Sequence, residues 1–584
     1  MALNATASNQ DKDFPNLDPK EAHFSLDKAW MQRSVLVAKH TVVWLAQLSQ
    51  RYGRQITRLD QIPDEALQEL SERGFNGLWL VGLWQRSPAS RKIKNLTGHP
   101  RADASAYAIS AYETAERLGG EAALEILRRQ AAKLGIRLAA DMVPNHTGMD
   151  APWIQQYPER YISTKKLPIE QYSFSGSNLS TSEEIELYLE DHYLDQSDAA
   201  VVFKRLDTST QETTYVYHGN DGVDTPWNDT AQLNFLQPDV REAVIEQILD
   251  VARRFPILRF DAAMTLIKRH FRRLWFPQSG DNGNIESRKS HSLSQEEFDE
   301  HFPVEFWQEA IERIRSELPD TLLLAESYWL TENYFAHTLG MHRVYNSAFM
   351  QSLAREANAE FRLGLKKVLA FDPRLLARYV NYMSTPDEES VLRQFGVGEK
   401  YFGVCTLLAA LPGLPLFAHG QVEGLAERYA MDFAEPRLDE TPNSKLIAQH
   451  LKQIAPVLQQ RETFASELYF RLYDALGEDE NPVEDIIAFS NRSDGQRALI
   501  IYNNSLEKKM AVIRMSAPFK KNGKLQQEHL IDGLDLSASK KWQLKEQVTG
   551  SEIEWDTEVL TKKGFTVSLE AYQRKLFWEF EPQN

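Results

Sequence analysis

Asp141, Asp261, Glu326 and Asp387 each stand at or just beyond the end of a short apolar run, and Arg259 lies two residues before Asp261. Several carboxylates with an arginine, a histidine and many aromatics, and no nucleophilic serine or cysteine motif, suit glycosyl transfer. One carboxylic acid protonates the leaving oxygen, and in retaining enzymes a second carboxylate attacks the anomeric carbon. Residues two apart on a strand point to the same side, so Arg259 and Asp261 are expected to meet. A guanidinium there would hold the aspartate ionised, as a nucleophile requires. Glu326 follows Leu322-Leu323-Leu324-Ala325 and precedes Tyr328-Trp329, apolar surroundings of the kind that suit a general acid. In "MSTPDEES" (383–390) Asp387 is the acid nearest the preceding strand, and Glu388 and Glu389 have no assigned chemistry.

Each residue also has a plainer reading. Asp141 could bind loop amides, Arg259 and Asp261 could be a buried ion pair, and Glu326 could cap a helix. Asn145 and His146 could belong to the "PNHTG" turn. Asp141, His146, Asp261 and Glu326 could also ligate a metal, although Arg259 would oppose a cation. What favours glycosyl chemistry is that the acids come in order, each at a strand end.

The elements that must position these acids repeat as helix, break and strand. "LDQIPDEALQELSERGFNGLWLV" starts its helix near Pro63, ends it at Gly74 and continues into Leu78–Val81. "EAALEILRRQAAKLGIRLAADMV" places Leu124, Leu127, Ala131 and Leu134 on one helical face, breaks at Gly135 and ends its strand at Asp141. "VREAVIEQILDVARRFPILRFDAAM" and "FWQEAIERIRSELPDTLLLAES" repeat the unit up to Asp261 and Glu326, and "VVWLAQL", "HRVYNSAFM", "RYVNYM" and "GLPLFAHG" supply further apolar runs. Alternating helices and short strands predict parallel β/α units. No Gly-rich phosphate turn marks an open sheet, and acids at the ends of several strands fit a (β/α)8 barrel. Residues 147–228 read as an insertion after the third strand. Beyond about residue 460 the pattern becomes alternating, with a hairpin signal at Asp494-Gly495, which predicts a C-terminal antiparallel β-sandwich. The expected α/β organisation is an N-terminal extension (1–34), a (β/α)8 TIM barrel (35–146 and 229–460), the insertion domain (147–228) and the sandwich (461–584).

The chain of 584 residues carries a formal charge of −17, which argues against a nucleic-acid partner. Its one cysteine, Cys405, sits in an apolar run and reads as a buried, inert thiol. The polar N-terminus shows no signal-peptide core and no run suits a membrane span, so no membrane partner and a cytoplasmic location are expected. Nothing in the sequence sets an oligomeric state.

"DMVPNH" (141–146), "LRFDAAM" (258–264), "LLAES" (323–327) and "STPDEE" (384–389) resemble the four ordered signature regions of the α-amylase family, glycoside hydrolase family 13. "SAYAISAY" (105–112) resembles that family's tyrosine-bearing loop, and "LPGLPLFAHGQVEG" (411–424) its eighth-strand segment. The resemblance implies a retaining hydrolase of α-glucans or α-glucosides. Asp261 would be the nucleophile, Glu326 the general acid/base and Asp387 the acid that orients sugar hydroxyls. Arg259 would support Asp261, Tyr107 would stack on the sugar, and Asp141 and His146 would bind it. Asn145 matches a position that holds a structural calcium in many members; the chemistry itself requires no cofactor. The sequence departs from the family at Pro386, where a histidine usually precedes the third acid. It departs again at Ala263 and Met264, often Lys-His, and at Ala106, Ala108 and Ala111 in the tyrosine loop. These departures keep two alternatives open: a transglycosylase, sugar-phosphate- or glucoside-specific enzyme on the same machinery, and a non-catalytic glycan-binding homologue.

Overall fold

A computed structural model describes residues 22–222, 225–278, 286–328, 331–537 and 539–583. Eight parallel strands close into a barrel: β1 (Leu36–His40), β2 (Gly77–Val81), β3 (Arg137–Met142), β4 (Ile257–Phe260), β5 (Leu322–Ala325), β6 (Arg343–Tyr345), β7 (Tyr379–Tyr382) and β8 (Leu414–Phe417). Closure is direct, because β1 pairs with both β2 and β8. The repeating unit is visible in the backbone. Helix Asp64–Glu72 precedes Gly74 (φ +92°) and β2, and helix Gly120–Lys133 precedes Gly135 (φ +74°) and β3. Both glycines take the left-handed conformation that ends a helix at little steric cost. Leu124, Leu127 and Ala131 are fully buried against the sheet, as their spacing predicts.

The first strand lies elsewhere than the apolar runs suggested. "VVWLAQL" (42–48) belongs to helix Thr41–Tyr52, which buries Val43, Trp44, Leu45 and Leu48. The strand is the preceding "LVAKH", whose buried Lys39 disguises it. That ammonium is paired to Glu423 (3.2 Å), which also takes Arg73 (2.7 Å).

After β3 the chain leaves the barrel. His146–Gly148 pairs with Thr230–Gln232, and between them a four-stranded antiparallel sheet forms from Ser163–Thr164, Ile185–Tyr188, Val202–Asp207 and Thr213–Tyr217. The C-terminal region is an eight-stranded antiparallel sheet. Its central hairpin, Ile486–Ser493 with Gln496–Asn503, turns at Asp494-Gly495 as expected. Strand alternation divides this hairpin's work. Ile487, Phe489, Ile500 and Tyr502 join the barrel core, while Ile486, Ala488, Leu499 and Ile501 build a separate core with Trp542 and Trp555.

The N-terminal segment is tied to the start of β6. Asp27 pairs with both Nη atoms of Arg343 (3.0 and 2.9 Å) and with Arg378 (3.1 Å), all buried or nearly so. Cys405 is buried as expected, and burial pushes its thiol up to about 12. Among the described residues no helix is long and apolar enough to cross a membrane.

Candidate active site

The register of the barrel assembles the acids. Arg259 on β4 is the direct neighbour of Asp141 on β3, so both side chains enter the barrel at one level. Arg259 Nη1 donates to Asp141 Oδ1 (3.2 Å) and Asp261 Oδ1 (2.5 Å), and Nη2 pairs with Glu326 Oε2 (3.0 Å). Its Nε donates to the Tyr345 hydroxyl (3.2 Å) and Nη1 to the Tyr107 hydroxyl (3.0 Å). Trp79, Tyr107 and Tyr345 also turn their rings to this guanidinium at 5.2, 5.3 and 5.7 Å. Paired carboxylates and ring faces together offset the cost of burying the cation.

Asp261 and Glu326 follow β4 and β5 directly. Between them stands Ala262, whose backbone is left-handed (φ +43°) although it is not glycine. That conformation costs roughly 1–2 kcal/mol. It aims the Ala262 N–H at Glu326 Oε2 (2.8 Å), while Tyr328 Oη donates to Oε1 (3.2 Å). Glu326 is therefore buried but polar-partnered, a correction to the apolar setting expected of it. The expected neighbour Trp329 lies outside the described residues.

Burial first, and carboxylate crowding second, raises the aspartates of the cluster. Burial raises the Asp141 carboxyl to about 6, against the pull of Arg259 and the Trp79 indole N–H (3.0 Å), with Glu326 adding to the rise. Burial also pushes Asp261 well above the usual range, although Arg259 opposes it; Glu326, Asp141 and Asp387 push the same way. Arg259 thus lowers the Asp261 carboxyl as foreseen, but desolvation outweighs it. Asp387 is raised towards about 6, first by desolvation and then by Glu326, while Arg259 and Arg428 resist. The residue stands exposed at the barrel mouth. These mutual effects place Asp387 within electrostatic reach of Asp261 and Glu326.

The structure thus brings together Asp141, Arg259, Asp261, Glu326, Asp387 and Tyr107. His146 lies beside the tyrosine loop, hydrogen-bonded to the Tyr107 backbone. It is buried, its ring lies 5.0 Å from Trp227 of the insertion, its Nδ1 is 3.4 Å from Asn145 Nδ2, and burial lowers it to about 4. Asn145 is also committed. Its amide exchanges hydrogen bonds with Gln232 (3.1 and 3.0 Å), and Gln232 Nε2 also donates to the Asn145 carbonyl (3.0 Å). Among the described residues no group of three or more His, Cys, Asp or Glu could hold a metal. The Asn145 carbonyl, Asn145 Oδ1 and Gln232 Oε1 are oxygens of the kind calcium takes, but here each accepts from the paired amides. The same census disfavours Asp141, His146, Asp261 and Glu326 as a metal centre.

Sequence reasoning missed Trp79, Tyr345 and Tyr382. The last two end β6 and β7 with rings 5.2 Å apart, and the strand-end rule used for the acids would have found them. Trp79 lies mid-strand, two residues from the end of β2, with no such signal.

A family model described as "Alpha amylase, catalytic domain" matches residues 59–372. This chain belongs to the α-amylase family. It is accordingly a glycosidase by family and fold, and the closed barrel with its antiparallel C-terminal region is that family's architecture. Similar solved structures include an α-amylase from Geobacillus thermoleovorans complexed with acarbose, 14% identical, TM-score 0.60, covering 96% of this chain and 100% of that one. An acarbose-soaked debranching enzyme from Nostoc punctiforme is also 14% identical, with TM-score 0.57 and the same coverages. A maltogenic α-amylase from Thermotoga neapolitana is 14% identical, TM-score 0.55, covering 94% of this chain and 98% of that one. No curated protein matches in sequence. Of the two departures in the second signature region, Ala263 and Met264 are buried, and the Ala263 carbonyl accepts from the Trp307 indole (2.9 Å).

Proposed function

We propose that this family member is a retaining α-glycoside hydrolase acting on α-glucans or α-glucosides. The observation that carries the reading is the single guanidinium shared by Asp261 and Glu326. Two carboxyls held on one guanidinium lie close together, as double displacement requires at about 5 Å. Asp261 attacks the anomeric carbon while the bond to the leaving oxygen breaks and Glu326 delivers its proton there. Glu326 then takes a proton from water, and the hydroxyl displaces Asp261. Asp141, Asp261 and Asp387 are all raised, first by burial, which favours a proton resident in the site. Asp387 receives sugar hydroxyls, Tyr107 offers its ring, and Arg259 and Asp141 hold the nucleophile in place. One related structure is complexed with acarbose and another is acarbose-soaked, which supports an α-glucan-like ligand. No metal enters this chemistry. A cytoplasmic location belongs to the proposal, and cell fractionation tests it.

Incubation with maltooligosaccharides, isomaltose, pullulan, trehalose and sucrose, with Asp261→Asn as control, tests the reading. Proton NMR should show an α-configured first product from the wild type alone. A β product would contradict retention, and near-normal turnover by Asp261→Asn would end the mechanism. Pro386, Ala263 and Met264 favour one second reading, transfer of the covalent intermediate to a sugar acceptor. Chain-length analysis with added acceptor separates transfer from hydrolysis.

A further inference from the structure

The loop after β8 does not stay beside its own strand. Residues 425–440 reach across to the loop after β2. Asp103 N–H donates to Asp432 O (2.7 Å), Ala106 N–H donates to Met431 O (3.1 Å), and Ala102 forms an antiparallel bridge with Phe433. At the other side Arg428 Nε reaches the Pro386 carbonyl (3.4 Å), one residue before Asp387. The crossing is braced throughout. Glu440 accepts the N–H groups of Ala426 and Glu427 (2.7 and 3.0 Å), and Glu427 accepts those of Arg437 and Leu438 (2.9 and 3.2 Å). Tyr429 stacks on His419 at 4.5 Å and takes a hydrogen bond from Gln47 (2.9 Å). The partner loop is equally held: Arg86 donates to Asp103 (3.3 Å) and to the Ala104 carbonyl (2.9 Å), and Arg117 pairs with Asp103.

This wall adjoins the acid cluster. A cavity beneath it is bounded by Trp79, Pro386, Glu388 and Arg428, and Trp79 is the donor to Asp141. In barrel order the wall covers β8, β1 and β2, whereas Glu326 follows β5 on the opposite side. In the reading proposed above, Glu326 protonates the glycosidic oxygen, so the leaving sugar lies on its side. The sugar attacked by Asp261, and anything attached to that sugar's non-reducing end, extends the other way, into the wall.

We infer that the enzyme is chain-end specific. Its substrates are short α-glucosides or the free non-reducing ends of α-glucans, and exposed Arg428 presents a donor to the terminal sugar beside Asp387. The inference rests on the α-glycosidase reading and names its substrate class.

The test uses the full-length protein with p-nitrophenyl α-maltopentaoside, either free or ethylidene-blocked at its non-reducing glucose. All products are followed by chromatography, with Asp261→Asn as control. The free substrate should show a kcat/KM more than about tenfold higher than the blocked one. Cleavage of the blocked substrate within about tenfold of the free one overturns the wall and leaves the hydrolase reading standing. Cleavage of neither refutes the α-glucosidase reading, and the wall falls with it. Arg428→Ala should raise KM for the free substrate about tenfold with kcat little changed, and Arg428→Lys should restore part of the loss. An unchanged KM in Arg428→Ala overturns the role of Arg428.

Discussion

Replacing Arg259 by glutamine removes a guanidinium that three buried carboxylates share, with contacts of 3.2 Å to Asp141, 2.5 Å to Asp261 and 3.0 Å to Glu326. Removing one partner of a buried ion pair costs about 3–5 kcal/mol, because the remaining charge is left uncompensated. The carboxylates can escape part of that cost by taking up protons. In the intact protein Asp141 is already raised from 3.8 to about 6, which corresponds to roughly 3 kcal/mol of disfavoured ionisation. Without the pull of Arg259, Asp141 and Asp261 titrate higher still. The sign follows from linkage. A carboxyl whose folded pKa lies above its unfolded value contributes stability below the unfolded value, and that contribution is lost as pH rises through the folded one. Arg259→Gln should therefore be about 3–5 kcal/mol less stable than the wild type at pH 8 and much closer to it at pH 5. Circular dichroism melts of both proteins at the two pH values read the gap as a difference in midpoints. An equal gap at both, or none at pH 8, refutes the view that mutual carboxylate crowding governs this site.

Asp27→Asn breaks the buried pair with Arg343 and Arg378 and should cost about 3–5 kcal/mol, seen as a lowered melting midpoint; an unchanged midpoint would show that the N-terminal segment contributes little. Gly403 lies on helix Glu399–Ala410 where an added Cβ would come within 2.0 Å of the buried Tyr502 ring, so Gly403→Ala should destabilise the barrel–sheet contact by about 1–3 kcal/mol, measured by urea unfolding. A chelator should leave the melting midpoint unchanged, because Asn145 is spent on Gln232; a fall restored by calcium would show that the pair opens to bind it.

How much of this site was legible in the sequence follows from which distances are local. Arg259 and Asp261 are two residues apart, and the period of a strand alone puts them side by side. Asp261, Glu326 and Asp387 could be placed on one face because parallel β/α units bring every strand end to the same rim. The same rule reaches Tyr345, to which Arg259 donates, and Tyr382, whose ring lies against that of Tyr345. Long-range partners were not legible. The apolar run before Glu326 implied a dry pocket, yet β4 and β5 are hydrogen-bonded neighbours, and their register delivers the Arg259 guanidinium and the Ala262 N–H to that carboxylate. The first strand was hidden because a lysine interrupts it, and nothing nearby announces that Glu423, hundreds of residues later, neutralises that lysine. The wall of residues 425–440 is the extreme case. Its sequence is a polar loop with no period, and its bearing on function exists only where it meets residues 102–106. Local pattern therefore places side chains at the rim of the barrel, whereas the shape of the space around that rim depends on loop pairings with no signature of their own. On the reading proposed above, the kind of chemistry follows from the first, and the choice between internal bonds and chain ends follows from the second.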